Sequence, residues 1–243
     1  MKTFTIASFN LRNNYWTRNW DGNEFPKELA NFIIKNNIDF LSTQELVFKY
    51  SNKLQKYLGN NYSINGKYRY GKIPFITQIN EANAIITNQK VLINKTKFLS
   101  KIPILDHLTL MPRIMTIIVT KDITIINTHL EYKYKYAQKH QLKILYKLIK
   151  KYSKKNQLPI ITGDFNMDLS QKHFLKFIQK LKKIGINYAV NNVPTYKTKE
   201  QILDHIFIPN QYEIIETKVI TNQPINKISD HRPIIIKIKK KNT

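Results

Sequence analysis

Eight polar side chains stand out by chemical type and by place. Asn10 closes an alternating run over residues 2–9, and Glu45 follows the apolar run 38–42. His129 falls at the end of 123–130, and Asp164 and Asn166 follow 158–162. Asp204, with His205 beside it, interrupts the otherwise apolar run 202–208, and Asp230 and His231 precede 233–238. Asn10, Glu45, Asp164, Asn166 and Asp230 offer oxygen donors, the ligand class of Mg²⁺ or Mn²⁺. The chain has no cysteine, which excludes disulfide scaffolds, cysteine nucleophiles, thiolate zinc sites and iron–sulfur clusters. His129 and His231 can hold and move protons near neutral pH, with Asp204 orienting one imidazole and Asp230 the other. A divalent cation beside a poised imidazole is what phosphoester hydrolysis needs. The cation neutralises charge on the phosphoryl oxygens while the base activates water. Singly, a strand-terminal Asn is a turn cap, a lone His is structural, and Gly163–Asp164–Phe165–Asn166 is a turn over a buried Phe. Recurring at one strand end after another, the set reads as one site.

The runs that must position these groups read as strands over 2–9, 38–42, 62–64, 84–87, 91–99, 158–162, 202–208, 212–220 and 233–238. Residues 113–120 and 123–130, separated by Lys121 and Asp122, read as a hairpin. Pro26 opens a helix to about residue 36, with Leu29, Phe32 and Ile33 on one face. Further helices are expected over 46–58, over 136–151 with Leu142, Leu145, Leu148 and Ile149 in register, and over 174–181. Hairpins alternate with strand–helix units, which predicts an α+β fold: a sandwich of mixed sheets with outer helices. No repeat, linker or composition break divides the chain. A strand after residue 231 completes a sheet begun at residue 3, so residues 1–243 are expected to form a single domain.

Lys and Arg number 40 against 16 Asp and Glu, a formal charge of +24, and Arg supplies only five of the 40. Abundant Lys, Asn and Ile together suggest A·T-rich coding, which would coat the surface with Lys to no purpose. The size of the excess points further, to a polyanionic substrate. Lys67, Arg69 and Lys72 interleave with Tyr68 and Tyr70, and Lys133 and Lys135 with Tyr132, Tyr134 and Tyr136. Such a mix holds backbone phosphates while rings stack on bases or sugars. Trp16, Arg18 and Trp20 are expected in a loop after the first strand. No stretch reaches the roughly 18 apolar residues of a membrane span. Without cysteines or an apolar leader, the expected location is cytoplasmic, or secreted if a leader has been removed. No obligate protein partner is implied.

The segments SFN (8–10), TQE (43–45), NAIIT (83–87), MPR (111–113), NTHLE (127–131), GDFN (163–166), PTY (194–196), LDHIF (203–207) and SDHRP (229–233) span nearly the whole chain. In type and order they resemble the endonuclease/exonuclease/phosphatase superfamily, typified by pancreatic-type DNase and the abasic-site endonucleases. The resemblance implies a DNase I-like four-layer α/β/β/α sandwich with its site in a cleft at one edge of two sheets, and one or two Mg²⁺ or Mn²⁺ ions. It implies Asn10 and Glu45 as first-metal ligands, and His129 as general acid for the leaving oxygen with Asp204 as its carboxylate partner. His231 would activate water or bind the scissile phosphate, with Asp230 orienting it or touching metal. Asp164 and Asn166 would position the nucleophile, the phosphate and a second metal, and Arg113 would contact phosphate. Tyr68, Arg69, Tyr132 and Tyr196 are substrate-binding candidates. His129 stands where abasic-site endonucleases carry Tyr, which brings the chain closer to DNase-like members. The expected function is a metal-dependent phosphodiesterase acting on nucleic acid, DNA in particular. One alternative is a sphingomyelinase-like or inositol-lipid phosphodiesterase or phosphatase. There, an apolar hairpin at 72–79, with Pro74, Phe75 and Ile76, would make peripheral membrane contact. The other is a noncatalytic nucleic-acid-binding protein on the same fold, which would be expected to have lost ligands that are all present here.

Overall fold

The computed structural model describes residues 2–12, 24–69, 80–99, 112–153, 157–189, 192–222 and 224–241, without the side chain of Phe48. The loop with Trp16, Arg18 and Trp20, the hairpin at 72–79, and Tyr70, Lys72 and Met111 lie outside the described residues.

The first sheet contains β1 (Thr3–Asn10), β2 (Phe40–Gln44), β4 (Ser63–Asn65), β6 (Ile85–Thr87), β13 (Tyr212–Val219) and β14 (Ile234–Lys240), in the order β13-β14-β1-β2-β6-β4. The second contains β7 (Ile93–Phe98), β8 (Ile114–Val119), β9 (Thr124–His129), β10 (Ile160–Asp164), β11 (Ile186–Tyr188) and β12 (Asp204–Pro209), in the order β11-β12-β10-β9-β8-β7. A two-stranded ribbon pairs β3 (Leu46–Val47) with β5 (Glu81–Ala82). Each large sheet has one parallel pair at its centre, β1 with β2 and β9 with β10, among antiparallel neighbours.

Four helices flank the sheets among the described residues: α1 (Glu24–Lys35), α2 (Phe48–Leu58), α3 (Lys135–Ser153) and α4 (Lys172–Lys182). Three separate apolar clusters define the layers. Leu29 and Ile33 of α1 and Leu54 of α2 cover Ala7, Phe9 and Leu41 on the first sheet. Leu142 and Leu145 of α3 and Phe174 and Phe177 of α4 cover Ile126, Ile161 and Phe207 on the second. Phe4, Ile6, Phe40, Ile125, Ile160 and Ile236 fill the space between the sheets. This is the α/β/β/α sandwich, with both faces of the central strands buried and the edge strands β7 and β13 largely exposed.

Side chains two apart on a strand share a face. On the faces turned toward the opposite sheet, that rule gives a gradient along the chain. β1 reads Phe4, Ile6, Ser8, Asn10; β2 reads Phe40, Ser42, Gln44; β9 reads Ile125, Asn127, His129; β10 reads Ile160, Thr162, Asp164. The apolar ends make the inter-sheet core. The middle rung is polar, and its groups satisfy one another across the gap. Thr162 Oγ1 donates to Ser42 Oγ at 2.7 Å, and Gln44 Nε2 donates to Asn127 Oδ1 at 2.7 Å. The Asn127 amide in turn donates to the carbonyls of Thr43 and Ala84. Buried polar groups paired in this way avoid the desolvation cost of orphaned ones. The last rung opens into the cleft.

Two expected elements differ in detail. The run 46–58 begins as strand, because Leu46 and Val47 pair with β5 before α2 starts. Asp164 lies within β10 instead of after it, and its register partners are His129 on one side and Asp204 on the other.

Candidate active site

Three residues at this end leave their strands with positive φ: Arg12 (49°), Glu45 (59°) and Asn166 (52°). Side chains rarely adopt this conformation, and such strain gathers where a site demands a particular direction. At Glu45 the turn brings the carboxylate to Asn10, whose Nδ2 lies 3.4 Å from Glu45 Oε1 and donates to Asp164 Oδ2 at 2.9 Å. Asn10 Oδ1 accepts from the Arg12 backbone N–H at 2.9 Å. Asn166 donates its backbone N–H to Asp164 Oδ1 and its side-chain amide to the Leu130 carbonyl. Gly163 has a distinct reason to be glycine. Its φ is +145°, and a Cβ there would sit 2.0 Å from the Thr128 carbonyl oxygen of β9.

Asp164 is the hub. Its Oδ2 lies 3.6 Å from His129 Nε2 and 3.8 Å from His231 Nε2. His231 Nδ1 meets Asp204 Oδ2 at 2.7 Å, so Nδ1 carries the proton and Nε2 faces the cleft. The SDH turn is fixed by Ser229, which donates to the Asn10 carbonyl and accepts the His231 backbone N–H. Thr195 Oγ1 accepts the backbone N–H groups of Leu203 and Asp204 and locks the start of β12.

The resemblance implied Asp204 as the partner of His129, and Asp230 as orienting His231 or touching metal; the structure corrects the two pairings, not the metal role of Asp230. β10 separates β12 from β9, so Asp204 and His129 stand on opposite sides of Asp164. Asp204 holds His231, while the Asp230 carboxylate meets Arg12 Nη1 at 3.2 Å. The neighbours of His129 are Asp164 and Glu45, the latter at 3.9 Å from Nδ1.

Burial and charge set the protonation of these groups. Burial favours neutral Asp164, the charge of Asp204 adds to it, and its pKa is pushed up to about 7. For His231, burial opposes the imidazolium. The Asp204 charge and hydrogen bond, with Asp164 and Asp230, outweigh it and push the pKa up to about 10. His129 is held neutral, well below the ordinary histidine range, by burial and then by the charges of Arg113, Arg69 and His231. His205, the next residue on β12, points away into the core among Phe165, Phe174 and Phe207. Its Nε2 donates to the Met167 carbonyl at 2.7 Å, and burial drives its pKa down to about 4.

The cleft holds about 800 Å³ and brings together Asn10, Glu45, Arg113, His129, Asp164, Asn166, Asp230 and His231. Asp204 is buried directly behind His231. Arg69, Tyr132 and Tyr196 also line it, and the Tyr196 ring centroid is 5.1 Å from that of His231. Tyr68 does not line it. Tyr68 pairs with Ala82, and the alternation that turns Arg69 into the cleft turns Tyr68 onto a neighbouring cavity beside Ser51 and Ala84. Arg113 is 6% exposed and its Nε lies 3.6 Å from the fully buried Glu131. Sequence reasoning gave no role to Arg12, Glu81, Glu131 or Lys199. Glu81 meets Arg69 at 2.9 Å, and Lys199 lines the rim. The signal for Arg12 was its place two residues past Asn10, and for Glu131 its place two past His129.

The donor chemistry suits a hard divalent cation. The Glu45 and Asp164 carboxylates converge on a single Asn10 amide, and Asp230 Oδ1 is buried with no hydrogen-bond partner among the described residues. Asp164, Asp204 and His231 also place ligand atoms within 4.8 Å of one another. There, however, the 2.7 Å Asp204–His231 hydrogen bond already engages two of the three groups. The side of Asp164 facing Glu45 and Asn10 is therefore the better cation position.

An α/β/β/α sandwich with acidic, amide and imidazole groups at the strand ends defines a class of phosphoester hydrolases. The Endonuclease/Exonuclease/phosphatase family profile matches residues 7–231, and the chain belongs to that family. Members of the family hydrolyse phosphoesters and typically use divalent metals. Among solved structures, the mannosyl-6-phosphatase of Bacteroides thetaiotaomicron superposes with a TM-score of 0.78 at 21% identity, over 97% of this chain and 99% of that one. The human Nocturnin catalytic domain with bound sulfate gives 0.75 at 16% identity, over 98% and 94%. D. rerio TDP2 complexed with a single-strand DNA product gives 0.70 at 15% identity, over 99% and 100%. At these identities the likeness is one of fold. No curated protein sequence matches the chain. No helix among the described residues is long and apolar enough to cross a membrane.

Proposed function

We propose that the chain is a divalent-metal-dependent phosphodiesterase that hydrolyses nucleic acid, DNA in particular, with residues 1–243 acting as one domain. The observation that carries this reading is the convergence on Asp164 of His129, the His231–Asp204 pair and the Asn10–Glu45 pair. Glu45 and Asn10 would hold the cation, with Asp164 facing the same space. When bound there, Mg²⁺ or Mn²⁺ would supply neutralising charge to the phosphoryl and leaving oxygens.

This chain's residues supply the rest. His231, charged and backed by Asp204, donates from Nε2 to a non-bridging oxygen of the scissile phosphate; Arg113 binds the phosphate from the other wall. Of the two roles the sequence allowed His231, its proton-bearing state supports phosphate binding. Asp164 and Asn166 orient the water, and Asp164 takes its proton as the water oxygen attacks phosphorus. The phosphorus–oxygen bond opposite breaks, and His129 protonates the departing oxygen. An anionic phosphate beside Arg113 offsets the charge that disfavours the His129 imidazolium, so substrate binding favours the acid form.

Nucleic acid is preferred to a small phosphoester because the net charge is +24; in the cleft itself Arg12, Arg69, Arg113 and Lys199 are balanced by Glu45, Glu81, Asp164, Asp168 and Asp230, so the preference rests on the wider surface. The deciding experiment is a cleavage panel with Mg²⁺ at several salt concentrations, using plasmid, abasic duplex, single-stranded DNA, RNA, sphingomyelin and a hexose 6-phosphate. Salt-sensitive cleavage of DNA is expected, abolished in His231→Ala. Turnover of the lipid or the sugar phosphate with every nucleic acid left intact would overturn the substrate assignment.

A further inference from the structure

The positive charge is not evenly spread. α3 carries six lysines and α4 four, and neither helix carries an Asp or Glu. The helix α2 also has lysines without carboxylates, but only three, and other elements mix the two signs. α1 mixes Glu24 and Glu28 with Lys27 and Lys35, and on the outer sheet edge Glu213 and Glu216 stand opposite Lys239 and Lys237. A coding bias toward Lys explains abundance; it does not explain why two adjacent helices lack carboxylates.

The lysines are also in register. Lys139, Lys143 and Lys147 on α3, and Lys172, Lys176 and Lys180 on α4, repeat at four-residue spacing and face each other across a groove of about 760 Å³. Like charges at that spacing oppose helix formation, so the arrangement costs stability. Their backbone positions step by about 6 Å along each helix, close to the interval between phosphates on an extended strand. The floor of the groove is Leu142, Tyr146 and Phe177, and Lys180 Nζ lies 5.8 Å from the Tyr146 ring centroid. Phe177 is buried in the core, so Tyr146, half-buried between two rows of ammonium groups, is the ring on which a base of the strand could stack while its phosphates run along the rims. A bilayer would need a protruding apolar surface, and this one is recessed.

One end of the groove lies next to the cleft, where Lys172 of the groove follows Gln171 of the cleft lining. Gln138, in the first turn of α3, pairs with His173 of α4 at 3.1 Å and donates to the carbonyls of Glu131 and Asn166. One side chain thus ties the groove's end to the loops that follow His129 and Asp164. The field of the ladder is felt there, since burial and then the charges of Lys135 and Lys139 lower the His173 pKa.

We propose that the α3–α4 groove is a second binding track for a single strand of nucleic acid, continuous with the cleft but outside it. The track extends the nucleic-acid reading of the cleft and is tested separately from it. A labelled oligothymidylate of roughly 20 nucleotides is titrated with the full chain in EDTA, between about 50 and 200 mM salt, and read by fluorescence anisotropy. The groove variant combines Lys139→Gln, Lys143→Gln, Lys176→Gln and Lys180→Gln. A control with the same charge change combines Lys27→Gln, Lys35→Gln, Lys95→Gln and Lys97→Gln; all eight lysines are exposed. Affinity is expected to fall at least about tenfold in the groove variant and less than about threefold in the control, with the salt slope reduced by about 3 in the groove variant. Equal losses in the two variants would overturn the proposal. Loss of binding to phosphatidylserine vesicles with unchanged oligonucleotide binding would overturn it in favour of a membrane. Hydrolysis of a dinucleotide should be unchanged in the groove variant while KM for a long strand rises. If the chain cleaves no phosphodiester at all, the reading of the cleft fails and the anisotropy still decides the groove.

Discussion

Asp204 and His231 form the shortest ion pair at the cleft, and their chemistry is separable from the fold. Asp204→Asn keeps size and leaves an acceptor for His231, but it removes the charge that favours the imidazolium. In acid–base and electrostatic catalysis such a loss is worth on the order of 10²–10⁴ in rate. The variant should therefore show kcat lowered by about that factor with an unfolding midpoint near that of the parent, and its pH–rate profile should shift to lower pH as His231 loses its proton more easily. Steady-state kinetics across pH 5–9 check this, and unchanged kcat and pH profile would remove the pair from the chemistry. The pairing itself was hidden from the sequence. The types and places of Asp204, His129 and His231 were legible, because each interrupts or ends an apolar run. Which carboxylate meets which imidazole was not, because it depends on β10 lying between β9 and β12.

At the scale of elements, the site is the last rung of a gradient built into four strands. The apolar starts of these strands form the core, and their polar ends meet because the parallel pairs β1–β2 and β9–β10 stack with their carboxyl ends together. Both gradient and strands are readable as alternation, which is why the fold class and most strands follow from the sequence. Pairs as short as β3 and β5 carry no period to read, and the face of Tyr68 against Arg69 is set by one bridge to Ala82. Gly163 shows how closely the strands must approach. Gly163→Ala would drive a methyl group into the Thr128 carbonyl at a backbone angle that disfavours any side chain. It should lower stability by more than about 4 kcal/mol, or prevent folding, as measured by urea denaturation. A stable, active Gly163→Ala protein would mean that β9 and β10 do not pair in this register.

For the molecule as a whole, buried histidine predicts a limit in acid. His205 is neutral in the fold, with a pKa driven down to about 4 from an ordinary value near 6.5. Because its folded pKa is depressed, the stability it contributes is complete above about pH 6.5 and is lost as pH falls toward 4, where unfolding takes up a proton that the native state refuses. The loss amounts to about 3 kcal/mol across that window. Asp164, raised to about 7, acts in the opposite direction over the same window, so urea midpoints of the parent are compared with those of His205→Gln at pH 7, 6, 5 and 4.5, and the parent's advantage should shrink as pH falls. A difference between parent and His205→Gln that did not change from pH 7 to 4.5 would contradict the assignment of a buried neutral imidazole.

A cation beside Asp164, which Glu45 and Asn10 would hold, is central to the proposed reaction, and the most direct measurement joins binding to turnover. Mn²⁺ binding is followed by calorimetry and DNA cleavage is assayed in EDTA, before and after Mg²⁺ or Mn²⁺ is restored, for the parent and for Glu45→Gln. The parent should bind Mn²⁺, lose cleavage in chelator and regain it with metal, while Glu45→Gln should bind Mn²⁺ at least about tenfold more weakly and require correspondingly more metal for turnover. Undiminished cleavage in EDTA, or unaltered Mn²⁺ affinity in Glu45→Gln, would contradict it.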